Sequence, residues 1–120
     1  MNGKRLFLGI LVCLGVTSGA FAHAFIDHAD PKVGGKVKTS PKEVRIWFTE
    51  KLEPAFSSIR VLDAQEKQVD KGDPRVDSKD PTLLIVSLPP LRAGKYKVVW
   101  RVTSVDTHKT EGDFQFQIVP

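Results

Sequence analysis

The residues best suited to hold a metal ion are few and widely spread. The chain has three histidines, His23, His28 and His108. Asp106 and His108 stand two apart in Ser104-Val105-Asp106-Thr107-His108. If that stretch is extended, their side chains leave the same face. Such a pair is commonly a surface turn and nothing more. His23 changes its weight, because Ala20-Phe21-Ala22 directly before it fits the small-x-small rule for signal peptidase. Cleavage there makes His23 the first residue. A free N-terminal histidine is bidentate, since its α-amine and its Nδ1 close a six-membered ring on one ion. The reference pKa of the amine, roughly 7.7–8.0, lets a metal displace its proton far more readily than that of a lysine.

Together these residues offer one amine, two imidazoles and one carboxylate. Three nitrogens and one oxygen suit the square or tetragonal plane that copper(II) prefers, and copper(II) heads the divalent affinity order. Zinc accepts the same donors in a tetrahedron and is the rival ion. Copper(I) is disfavoured, because it wants thiolate or thioether ligands. The single cysteine, Cys13, and the single methionine, Met1, both precede residue 23. The expectation is one copper(II) ion per chain on His23, Asp106 and His108. It requires a fold that brings residue 23 beside residue 106, which spacing alone does not show.

The segment before His23 reads as a secretion signal. Lys4 and Arg5 give it a basic start, Leu6 to Val16 is an apolar run, and the small-residue cleavage site follows. The run is too short for a bilayer span, which needs roughly 20 residues. Val12 before Cys13 argues against a lipoprotein signal. The expected division is residues 1–22 as leader and 23–120 as one secreted, periplasmic domain of 98 residues without a membrane span. The leader takes two basic residues with it. The domain keeps 16 basic and 14 acidic residues, a net charge of +2, so no nucleic-acid partner is inferred. With no cysteine left, the domain must be held by its apolar core, which about 100 residues can just supply.

The elements that must position the donors read as strands. Val44, Ile46 and Phe48 alternate with Glu43, Arg45, Trp47 and Thr49, Tyr96, Val98, Trp100 and Val102 with Lys95, Lys97, Val99 and Arg101, and Phe114, Phe116 and Ile118 with Asp113, Gln115 and Gln117. Shorter candidates are Ala24–His28, Ser58–Asp63 and Thr82–Leu88. Proline and glycine turns separate them, at 31–35, 40–41, 72–74, 80–81, 89–90 and 93–94. Residues 64–81 are polar and read as loop with one edge strand. No window carries a capped helical stripe. The expected fold is all-β, an antiparallel Greek-key sandwich or barrel of immunoglobulin type. Trp100 and Phe114 to Ile118 belong to its core. Trp47 falls on the polar face of its strand by parity, where it covers either a site or a loop.

From His23 onward the chain resembles the CopC family of bacterial periplasmic copper-binding proteins. The strongest piece is Ala93-Gly94-Lys95-Tyr96-Lys97-Val98-Val99-Trp100-Arg101-Val102 followed by Thr103 to His108, then Gly112 and Phe114-x-Phe116. It is similar to the family's A-G-x-Y-x-V-x-W-R-V-x-S-x-D-x-H signature. His23-Ala24-Phe25-Ile26 with Pro31, and Phe48-Thr49-Glu50, resemble two further family segments. The resemblance implies a seven-stranded Greek-key β-sandwich and copper(II) held by His23, Asp106 and His108. It places Glu50 beside that site as an outer partner that holds a ligand imidazole. The family's methionine-rich copper(I) segment has no counterpart here. His28 stands where a small polar residue is usual and is read as a surface residue. The implied role is copper tolerance, storage or delivery without catalysis, and the resemblance allows an inner-membrane copper transporter as partner.

The alternative is an enzyme, since a histidine brace on a β-sandwich also serves copper-dependent oxidative cleavage of polysaccharide. Asp106 would fill the in-plane position that an oxygen-activating site leaves open, and 98 residues give little room for a sugar-binding face. A metal-free adhesion or structural module follows if His23 is not the true terminus.

Overall fold

A computed structural model describes residues 26–120. The expected leader, His23 and the start of the first expected strand lie outside the described residues. Eight strands form among those described: β1 Ile26–Asp30, β2 Lys36–Val37, β3 Glu43–Phe48, β4 Ser58–Leu62, β5 Arg75–Val76, β6 Leu83–Ser87, β7 Gly94–Thr103 and β8 Lys109–Ile118. A single 3-10 turn, Pro54–Phe56, interrupts the β structure between β3 and β4. One sheet has the order β1-β3-β6-β5 and the other β2-β8-β7-β4. The chain is an all-β sandwich. No helix among the described residues is long and apolar enough to cross a membrane.

The long strands follow the alternation in the sequence. Val44, Ile46 and Phe48 of β3 face inward, against Val98, Trp100 and Val102 of β7 and Phe114, Phe116 and Ile118 of β8. Two details depart from the expected pattern. The strand count is eight, not seven: β5 is the edge strand expected within 64–81, and the addition is β2, a two-residue piece too short to show a period. The pairing is antiparallel except at β2, which runs parallel to β8 with Lys36 opposite Gln117. In β1 the register shifts between Ile26 and His28. The extra residue is a bulge, and it lets Ile26 and Ala29, three apart, both pack against the core.

Strand β6 explains Trp47. Leu83 to Val86 are all buried, although only Leu84 and Val86 belong to the central core. Leu83 and Ile85 point to the outside of the sheet. Trp47 lies opposite Leu83, and Arg45 and Arg75 lie opposite Ile85. Cross-strand neighbours share a face, so these long side chains roof the apolar outer side of β6. The His28 ring stacks on Trp47 at 4.3 Å and 10°, and the Arg45 guanidinium sits 5.4 Å from the centre of the same indole. Trp47 therefore shields β6 and reaches Asp80 in the turn before that strand; among the described residues it covers no metal site.

Strands β7 and β8 matter most for the chemistry. They pair over their whole length, from Gly94 opposite Ile118 to Thr103 opposite Lys109. Trp100 lies opposite Gly112 and meets Phe48 edge-on at 5.4 Å. A Cβ at Gly112 would stand 2.7 Å from Cζ2 of Trp100, closer than carbon atoms tolerate. The glycine is what lets the indole lie flat across the hairpin. Residues 104–108 close this hairpin, so Asp106 and His108 are carried on its tip.

Candidate metal centre

The hairpin tip is a tight, internally bonded turn rather than extended chain. The Ser104 N–H donates to the His108 carbonyl at 2.9 Å, and the Thr107 N–H donates to the Ser104 carbonyl at 2.8 Å. Thr107 has φ of 72°, the left-handed conformation that closes the turn. The expectation of an extended Asp-x-His segment is therefore corrected. The two side chains converge because the chain folds back, not because they alternate along a strand.

Ser104 organises this turn. It is 0% exposed and the one fully enclosed polar residue among the described residues. Its hydroxyl donates to Asp106 Oδ1, and its oxygen accepts the His108 N–H at 3.1 Å. The segment after β3 packs alongside. Leu52 bridges to Ser104, and the Val105 N–H donates to the Lys51 carbonyl at 2.9 Å. The Glu53 N–H donates to the Thr103 carbonyl at 2.8 Å. These backbone bonds bring Glu50 against the hairpin tip.

Three donor side chains then meet. His108 Nδ1 is 3.4 Å from Asp106 Oδ1 and 3.9 Å from Glu50 Oε1. Ligand atoms of Glu50, Asp106 and His108 all lie within 4.8 Å of one another. His108 and Asp106 are largely open to solvent, while Glu50 is half-buried. Glu50 Oε1 is itself enclosed and has no hydrogen-bond partner. An enclosed carboxylate oxygen without a donor beside a second carboxylate is costly unless a cation or a shared proton joins them. The Asp106 carboxyl is held below the ordinary carboxylate range, chiefly by the Ser104 hydroxyl, with Glu50 and His108 assisting against some burial. It is ionised, as a ligand must be. Two carboxylates and an imidazole on one open rim suit a divalent ion better than they suit each other.

A family model described as the CopC domain matches residues 26–119. The chain belongs to the CopC family. Protein YobA of Escherichia coli (strain K12) is 32% identical over 115 residues, 95% of this chain and 93% of YobA. Copper resistance protein C of Escherichia coli is 30% identical over 122 residues, 96% of this chain and 95% of that protein. The crystal structure of CopC from Methylosinus trichosporium OB3b superposes with a TM-score of 0.72 at 38% identity, covering 82% of this chain and 95% of that one. The CopC fold accounts for the two four-stranded sheets seen here. CopC proteins are non-enzymatic, and so is this chain; the oxidative-enzyme alternative is set aside.

Of the residues singled out in the sequence, the structure brings Asp106, His108 and Glu50 together. His23 lies outside the described residues. His28 stands apart, on the outer face of the other sheet against Trp47 and hydrogen-bonded to Asp27 at 2.6 Å. Sequence reasoning missed Ser104. A serine two positions before an aspartate carries no signal of burial, since alternation at a strand end says nothing about a turn.

Proposed function

We propose that the chain is a secreted copper(II)-binding protein of copper tolerance, storage or delivery, with one ion on His23, Asp106 and His108 and Glu50 as their outer partner. The observation that carries this reading is the convergence of Glu50, Asp106 and His108 on one solvent-facing rim. The start of the chain favours it. Ile26 pairs with Phe48 at the end of β3 that leads into Glu50. His23 is three residues before Ile26, and three residues reach at most roughly 10–11 Å. Removal of residues 1–22 leaves an amine and an imidazole within that reach of Ile26, and would complete a donor set of three nitrogens and one oxygen. The same removal delivers the protein to the periplasm, where an inner-membrane copper transporter is the partner that suits a soluble carrier. The domain has no cysteine or methionine to retain copper(I), so its cargo is the oxidised ion.

The experiment is a copper(II) titration of protein beginning at His23, followed by electron paramagnetic resonance. One ion per chain with a tetragonal spectrum and nitrogen hyperfine coupling supports the reading. Preference for zinc over copper(II), or an absence of tight binding, overturns it.

A further inference from the structure

We propose that Ser104 is a positioning residue of this centre, whose hydroxyl fixes the Asp106 carboxylate and whose oxygen fixes the His108 backbone, so that both donors face one ion. The proposal rests on the copper reading above and assigns a role within it. A serine hydroxyl has one proton to give and lone pairs to accept with. In this turn both capacities are used on the two halves of the Asp-x-His pair: the proton on Asp106 Oδ1, a lone pair on the His108 N–H. The backbone of the same residue is bonded to the His108 carbonyl and, through its own carbonyl, to Thr107. One residue therefore ties both the Asp106 carboxylate and the His108 backbone.

Burial makes the arrangement effective. Ser104 is 0% exposed, so water does not compete for its hydroxyl, and it is anchored from below by the bridge to Leu52. Asp106 and His108 themselves stand in solvent, where side chains ordinarily sample several rotamers. The Ser104 hydroxyl narrows that choice for Asp106: it holds Oδ1, the oxygen that stands 3.4 Å from His108 Nδ1, while each carboxylate oxygen keeps a lone pair for the ion.

The test compares copper(II) affinity and the hyperfine pattern for the parent, Ser104→Ala, Asp106→Ala and the double variant, with apo stability measured alongside. Loss of an outer partner of a metal ligand costs roughly 10–100-fold in affinity. Ser104→Ala is expected to bind about tenfold more weakly with an altered spectrum, Ser104→Thr to restore both, and Ser104→Ala to add nothing in the Asp106→Ala background. A folded Ser104→Ala with the affinity and spectrum of the parent overturns the proposal, as does an equal loss with and without Asp106. If Ser104→Ala does not fold, the parent decides by nuclear magnetic resonance: a slowly exchanging Ser104 hydroxyl proton supports the role, and fast exchange with water refutes it. A parent that binds no copper(II) sinks the functional reading itself, whereas a binding parent with an indifferent variant sinks only this one.

Discussion

At the scale of single residues the two members of the hairpin pair are not equivalent. In the proposed centre His108 offers a nitrogen from an exposed ring whose Nδ1 faces the carboxylates of Asp106 and Glu50. Asp106 offers an oxygen to that centre and is hydrogen-bonded by Ser104. Replacing His108 by alanine removes one of three nitrogens and should weaken copper(II) binding by two orders of magnitude or more, about 3 kcal/mol at 1.4 kcal/mol per tenfold. Asp106→Ala should cost less affinity but open an in-plane position to water, visible as a changed spectrum and faster exchange of bound water. Both variants should keep the fold, because neither side chain is part of the core. Copper(II) titration with resonance spectra of the two proteins checks this, and parental binding by both would place the ion elsewhere.

Elements explain why the rim is where it is. The β7–β8 hairpin is long, paired throughout and threaded by Trp100, so its tip is held rigidly at one end of the sandwich. Strand β6 has a different kind of anchorage, with an acid at each end. Asp80 accepts from the Thr82 hydroxyl at 2.7 Å and from the Thr82 N–H, just before β6 begins. Asp73 accepts from the Ser87 N–H at 2.8 Å, where β6 finishes. Both carboxyls are held below their ordinary range, Asp80 chiefly by the Thr82 hydroxyl and Asp73 chiefly by the Ser87 amide. A depressed folded pKa means that the stabilisation is complete above the unfolded value, near roughly 3.9, and is lost as pH falls through the lower folded value. The apo protein should hold a level melting temperature from these two groups between pH 7 and 5, then lose stability below about pH 4. In Asp73→Asn and Asp80→Asn that acid-dependent loss should shrink. Thermal unfolding at a series of pH values measures it, and an undiminished loss in both variants would place the responsible acids elsewhere.

The whole molecule decides whether a complete centre can form. Asp106 and His108 come from a hairpin of one sheet, Glu50 from the segment leaving a strand of the other, and β1 of that second sheet begins at the same end. The sandwich thus collects three parts of the chain at one edge. If the amine of His23 is the fourth contributor, one extra residue ahead of His23 should weaken copper(II) binding by orders of magnitude. The extension converts a chelating amine into an amide while leaving every strand untouched. Parallel titrations of the two proteins settle the point, and equal affinities would remove the amine from the ligand set.

Much of this was legible in the sequence because it is local. Alternation in 43–49, 95–102 and 113–118, interrupted at Trp47 and Val99, gives the faces of β3, β7 and β8, since a period of two is a property of neighbouring residues. The donor types and the small-residue site before His23 are likewise local, and they suffice to suggest a copper(II) ligand set. What the tertiary structure decided is non-local. Short strands such as β2 form only because β8 is there to pair with, and Trp47 has its place only because Leu83 lies opposite it. Ser104 is buried only because Leu52 and Lys51 arrive across it from the far side of the sandwich. Glu50 meets His108 for the same reason. Contacts between distant segments depend on which sheets pack together, and no pattern of adjacent side chains records that choice.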